Sequence, residues 1–128
     1  SITQINNIMK TLITSVLALL IFSCAEKQNL THTETSKIVV ESFYKKDNST
    51  LKKHTTSDGY TGLIMIQEMI PDEDKDVNVE ILDEAIEGDL AWVKYNSSYD
   101  KNPGVFKLIK ENGQWKVTSK KPRERGPF

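Results

Sequence analysis

Val105–Lys120 reads VFKLIKENGQWKVTSK: one alternating run, Val105–Lys110, is joined to another, Trp115–Lys120, across Asn112-Gly113. An Asn-Gly pair between two such runs is the strongest local hairpin signal, because both residues tolerate the positive φ of a type I′ turn. Moving toward the N-terminus, Leu90–Ser98 carries Trp92, Val93 and Tyr95 and follows a turn at Glu87-Gly88-Asp89. Before that turn, Val77, Val79 and Ile81 alternate with Asn78, Glu80 and Leu82 on the two-residue period of a strand. Tyr99–Gly104 is expected as a loop around Pro103-Gly104. The second half of the chain therefore reads as an antiparallel meander of about four strands.

Upstream of Pro71 the period changes. Val39, Val40, Phe43 and Tyr44 recur at helical spacing within Ser36–Lys46, with Thr35 or Ser36 to cap the start and Lys45-Lys46 at the negative end. Asp47-Asn48-Ser49 breaks this helix, and Ser49 can cap a short one through Leu51 to His54. A third is predicted over Asp58–Ile70, with Tyr60, Leu63, Ile64, Gln67 and Ile70 on one face and Pro71 as its stop. Helices first and strands afterwards indicate an α+β fold, N-terminal helices packed on one face of a curved antiparallel sheet.

The 128 residues suit one domain; 38% are hydrophobic and 27% charged, with a net charge of −1. That apolar fraction excludes a wholly disordered chain, and the balanced charge argues against a nucleic-acid binder. A single cysteine excludes an internal disulfide and a multi-cysteine metal site. The balance is local as well as global only in part. Residues 67–91 hold 10 acidic and 1 basic side chains, and residues 92–128 hold 9 basic and 3 acidic, net charges of −9 and +6.

The N-terminal 24 residues obey a different rule. Met9-Lys10 precedes Leu12–Phe22, eleven residues without a charge, which suits a signal-peptide core and is too short to span a bilayer as a helix. Ile21-Phe22-Ser23-Cys24 follows at once, and the chain turns polar at Glu26. This resembles the lipobox of a bacterial lipoprotein, with Ile21 three residues before the cysteine, Ser23 one before it, and Phe22 bulkier than the usual residue there. The resemblance implies lipidation of Cys24, whose acyl chains would anchor the mature protein to a membrane of the cell envelope. Met9 reads as the natural start, so residues 1–23 are set aside as upstream sequence and signal peptide. Residues 24–35 are expected to be an acylated cysteine and a flexible tether, 36–120 the folded domain, and 121–128 a basic tail.

Two phrases carry a second resemblance. Glu87-Gly88-Asp89-Leu90-Ala91-Trp92-Val93 is similar to the start of a central strand in the nuclear-transport-factor-2-like superfamily, and Asn112-Gly113-Gln114-Trp115-Lys116-Val117 to its final hairpin. With the order of elements, they make Ser36–Lys120 resemble this cone-shaped α+β domain as it occurs in bacterial lipoproteins. The resemblance implies a concave pocket between sheet and helices. In the enzymes of the superfamily that pocket pairs an Asp base with a Tyr or Asp donor, an isomerase- or cyclase-like chemistry; a shared scaffold does not by itself imply it.

The residues themselves offer no legible catalytic set. Asp89 lies in a turn, Asp83 is expected to face solvent beside a core-facing Leu82, and Asp100 falls in a polar loop; Tyr60, Tyr95 and Tyr99 are the candidate donors. His54 ends a helix, where a histidine stabilises the terminus, and His32 is expected to be solvated in the tether. Asp72, Asp74, Asp76, Asn78, Glu80 and Asp83 have calcium-loop spacing, but Val77 stands where the loop needs Gly and Asp83 where it needs a bidentate Glu. No metal or cofactor is therefore expected. Among the aromatics, Tyr60, Trp92 and Tyr95 are the candidates to line an apolar pocket, the others forming core. Lys120–Phe128, basic and broken by two prolines, reads as an unstructured end or as a contact for acidic lipid or a partner. The expected function is a membrane-tethered, non-catalytic envelope lipoprotein that binds a small apolar ligand or an envelope protein. A homodimer is compatible with this scaffold.

Overall fold

The structure, a computed structural model, describes residues 29–71 and 76–128. Cys24, the signal-like segment, Asp72 and Asp74 lie outside these residues. Three helices and four strands follow one another: α1 His32–Lys45, α2 Asn48–Lys53, α3 Ser57–Gln67, β1 Val79–Glu87, β2 Leu90–Ser97, β3 Asp100–Glu111 and β4 Gln114–Thr118. The strands form one antiparallel meander in the order β1-β2-β3-β4. The helices pack against it, so the α+β class read from the element order is the architecture found.

Local chemistry explains most boundaries. Asn112 and Gly113 have φ of 51° and 76°, the double positive φ of the type I′ turn, and they set Glu111 opposite Gln114 and Lys110 opposite Trp115. At the β1–β2 turn Gly88 alone takes a positive φ, 60°, which matches a type II′ turn. The first helix starts earlier than its apolar period suggests. Thr31, not Thr35 or Ser36, is the cap, its hydroxyl accepting from the Glu34 N–H at 3.2 Å. Asp47 caps α2 in place of Ser49, accepting from the Thr50 amide and hydroxyl, and these bonds hold its carboxyl below its ordinary range. Thr56 caps α3, which ends at Gln67 and continues to Ile70 only as turns with bonds to the third residue back.

The early start of α1 corrects the expectation that His32–Thr35 belongs to a flexible tether. His32, Thr35 and Ser36 extend the buried stripe of Val39, Val40 and Phe43 by one turn. Their polarity hides the stripe in the sequence but is largely satisfied in place. The Ser36 hydroxyl donates to the His32 carbonyl at 2.8 Å, and His32 Nε2 lies 2.7 Å from Glu84 Oε2 with its ring edge-on to Trp115. His32 is thus buried and bonded, not solvated.

The core lies between sheet and helices. Val39, Phe43 and Leu51 from α1 and α2 meet Ala91, Val93, Leu108 and Val117 from the strands, with Tyr60, Leu63, Ile64, Phe106 and Trp115 at its margin. Burying these side chains is the main drive for the fold, at about 1.5–3 kcal/mol each. The linker before α3 is sewn to β4: Thr56 N–H donates to the Val117 carbonyl, Val117 N–H to the His54 carbonyl, and the Thr56 and Thr118 hydroxyls bond at 3.0 Å. Gly59 permits that approach, because a β-carbon there would sit 2.5 Å from the Val117 carbonyl oxygen.

Three further expectations are revised. A bulge between Ile81 and Asp83 shifts the β1 register, and Leu82 is exposed instead of core-facing. Asp100–Gly104 belongs to β3, so the expected loop shrinks to a tight turn at Ser98-Tyr99. Pro103 is tolerated there because this stretch of β3 is an edge; β4 pairs with β3 only from Lys107 to Glu111. The C-terminal segment is not a free end. It returns across the sheet face opposite the helices, where Glu124 pairs with Lys107 at 2.8 Å and Gly126, at φ 63°, lies against the Trp92 indole.

Candidate functional site

Because β4 stops at Thr118 while β3 runs on to Asp100, the sheet has a notch beside Pro103–Lys107. α3 flanks it with Gly59, Gly62, Leu63 and Ile66, and the returning C-terminal segment adds Arg125 and Phe128. Tyr95, Phe106 and Val117 reach it from the strands. The result is an open groove of about 760 Å³, within the size range of pockets that take one small organic ligand. Ile66 is half-exposed at its lip, and Met65 in α3 and Met69 just beyond its end are exposed as well.

Tyr95 is the one predicted ligand residue that lines the groove. Its ring covers its cross-strand partner Gly104, where a β-carbon would lie 2.5 Å from Tyr95 Cζ, and it tilts against Phe106 with centroids 4.6 Å apart. An aromatic ring laid over a strand glycine replaces the side-chain contact that the glycine lacks. Burial, with Tyr44 and Asp100 adding to it, pushes the Tyr95 hydroxyl far above the ordinary phenol range. It stays protonated at any physiological pH and can donate a hydrogen bond.

Tyr60 and Trp92 do not line the groove. Tyr60 packs at the core margin, with Lys52 Nζ 5.9 Å from its ring centroid. Trp92 points to the opposite face of the sheet, under Gly126 and beside Lys107. The period of two decides this: Ala91 and Val93 face the helices, so Trp92 cannot.

The charge of the groove is one-sided. Lys94, Lys107, Lys120 and Arg125 line it, and the lining contains no Asp, Glu or His. Lys107 is neutralised by Glu124, while Lys120 donates only to the Glu124 carbonyl oxygen, at 3.5 Å. Among the described residues, neither Lys94 nor Arg125 has a carboxylate within ion-pair distance. The candidate acids Asp83, Asp89 and Asp100 are all exposed and outside the lining. His54 sits beside β4, where burial and the positive Lys53 and Lys116 hold its imidazole below its ordinary pKa. Of the calcium-spaced residues, Asp76, Asn78, Glu80 and Asp83 are described, and no cluster of three His, Cys, Asp or Glu among the described residues could hold a metal.

The sequence reading missed the α3 wall, the cationic rim and Phe128. A signal existed for the wall: Gly59 and Gly62 stand three apart in a helical stretch, where glycines cost stability unless something approaches closely. Nothing local could announce Arg125 and Phe128, which reach the groove only through the return of the chain. No helix among the described residues is long and apolar enough to cross a membrane. No protein-family model matches the chain, and comparison with curated proteins and with solved structures found no match.

Proposed function

We propose that this chain is a cell-envelope lipoprotein, held to a membrane through an acylated Cys24, whose folded domain binds a small apolar ligand without transforming it. The observation that carries the binding half is the groove of about 760 Å³, with apolar walls from α3 and the strands and no acid or histidine in its lining. The lipobox-like Ile21-Phe22-Ser23-Cys24 after an eleven-residue apolar run supports the address. The short stretch between Cys24 and Thr31 then acts as the tether, since the domain begins with the cap of α1.

Two measurements test the two halves. Intact-mass analysis of the protein from membranes should show cleavage before Cys24 and added acyl mass; an unmodified cysteine with residues 9–23 attached defeats the lipoprotein reading. A thermal-shift screen of envelope metabolites should find a compound that raises Tm in a concentration-dependent way, as any ligand of the folded state must. Turnover of a substrate with no binder found would defeat the non-catalytic reading.

A further inference from the structure

Taking the groove as a ligand site, as proposed above, its chemistry narrows the ligand. The walls Leu63, Ile66, Phe106 and Phe128 offer apolar surface, while the only charges in the lining are positive. Two of these, Lys94 and Arg125, have no carboxylate partner among the described residues. A neutral apolar ligand would leave both cations unused, and a cationic one would be repelled. A ligand with an alkyl chain and one anionic head satisfies walls and rim together, and a guanidinium is suited to hold a carboxylate through two parallel bonds. The volume suits a single chain, not a two-chain lipid. We infer that the groove binds a long-chain fatty acid, its alkyl chain along α3 and Phe106 and its carboxylate held by Lys94 and Arg125.

The test is calorimetric titration of the 128-residue chain with hexadecanoate, hexadecan-1-ol and hexadecyltrimethylammonium, each below its aggregation concentration. One hexadecanoate should bind per chain, with the alcohol and the ammonium at least about tenfold weaker, the usual gain of a charge-assisted hydrogen bond over a neutral one. From dodecanoate upward, each added methylene should tighten binding by about three- to fourfold. The double variant K94M/R125M should bring hexadecanoate to within about twofold of the alcohol measured on the same variant. Gly62→Leu adds an apolar side chain to the α3 wall of the groove, at a position with no atom within 4 Å of the new β-carbon, and should change hexadecanoate affinity at least about threefold without harming the fold.

If the alcohol or the ammonium binds as well as the acid, the head-group assignment is wrong while an apolar-ligand groove stands. Unchanged affinity in Gly62→Leu defeats the groove as the site, and with it both readings. No binding by any of the three defeats this inference alone, since the wider ligand reading has its own thermal screen. Capture by phosphatidylglycerol vesicles through Lys94 and Arg125, with no binding of monomeric hexadecanoate, would make a membrane surface the occupant and overturn it.

Discussion

Gly59 and Gly62 lie three residues apart on α3, and replacing each by alanine should move stability in opposite directions. At Gly62 a new β-carbon meets nothing within 4 Å, so the change acts through helix propensity alone. It should stabilise the domain by about 0.5–1 kcal/mol. At Gly59 the same gain is available, but the β-carbon would stand 2.5 Å from the Val117 carbonyl oxygen and 3.1 Å from Thr118 Cα, both backbone. An ordinary contact needs the helix to withdraw by nearly an ångström. That withdrawal strains the Thr56 N–H to Val117 bond at 2.9 Å and the Thr56–Thr118 hydroxyl bond at 3.0 Å, each worth about 1 kcal/mol. Overpacking against a firm neighbour costs about 1–3 kcal/mol, so after the propensity gain a net loss of about 1–2 kcal/mol is expected for Gly59→Ala. Urea unfolding followed by tryptophan emission reads the difference. The two variants should differ by about 1.5–3 kcal/mol, which at slopes of about 1–3 kcal/mol per molar for small proteins separates their midpoints by about 0.5–3 M. Equal midpoints, both above the parent, would show that α3 does not dock on β4 through Gly59, and the groove wall as described would fall with it.

Other outcomes follow from the same contacts. Gly126→Ala places a side chain at φ 63° and within 2.4 Å of Trp92 Cδ2, and the single part-buried Lys107–Glu124 pair offsets only part of that strain. The C-terminal segment should lift, and in a Trp115→Phe background Trp92 emission should shift to the red with little change in unfolding midpoint; unchanged emission contradicts the packing. Gln67→Ala removes the donor to the Phe43 carbonyl at 2.7 Å and to Asn48 Oδ1 at 3.1 Å in a buried site, and should cost about 1–3 kcal/mol in denaturant unfolding. His54 has a folded pKa below its unfolded value, so the unfolded state binds the extra proton and stability must fall as pH drops through the ordinary histidine range near 6.5. His54→Gln should flatten that part of the stability–pH curve and leave stability above pH 7.5 little changed; an unaltered curve rules out the desolvated imidazole.

Legibility varied with the range of the interaction that decides each element. The final hairpin was readable because Asn112-Gly113 sets turn type and register within four residues. The buried face of α3 was readable from Tyr60, Leu63, Ile64 and Gln67, spaced as a helix requires. The first turn of α1 was not, since His32, Thr35 and Ser36 are polar and the partners of His32, Glu84 and Trp115, lie 52 and 83 positions away. Leu82 was misplaced for a different reason: Ile81 packs on the core, and the period of two then turns its neighbour Leu82 to solvent. Of the three aromatics singled out, Tyr95 alone lines the groove, and alternation along the strand could not tell which face would border it.

By itself, then, the sequence determined the class of the fold, the order of its elements and the hairpin register, all products of neighbours along the chain. The tertiary structure alone decided where a ligand could sit. The groove exists because β4 is shorter than β3 and because two glycines in α3 differ in what they face. Its rim is positive because the returning C-terminal segment adds Arg125 to a lining that already holds Lys94, Lys107 and Lys120. Those are differences in length and contacts between residues far apart in the chain, and no local pattern of residues encodes them.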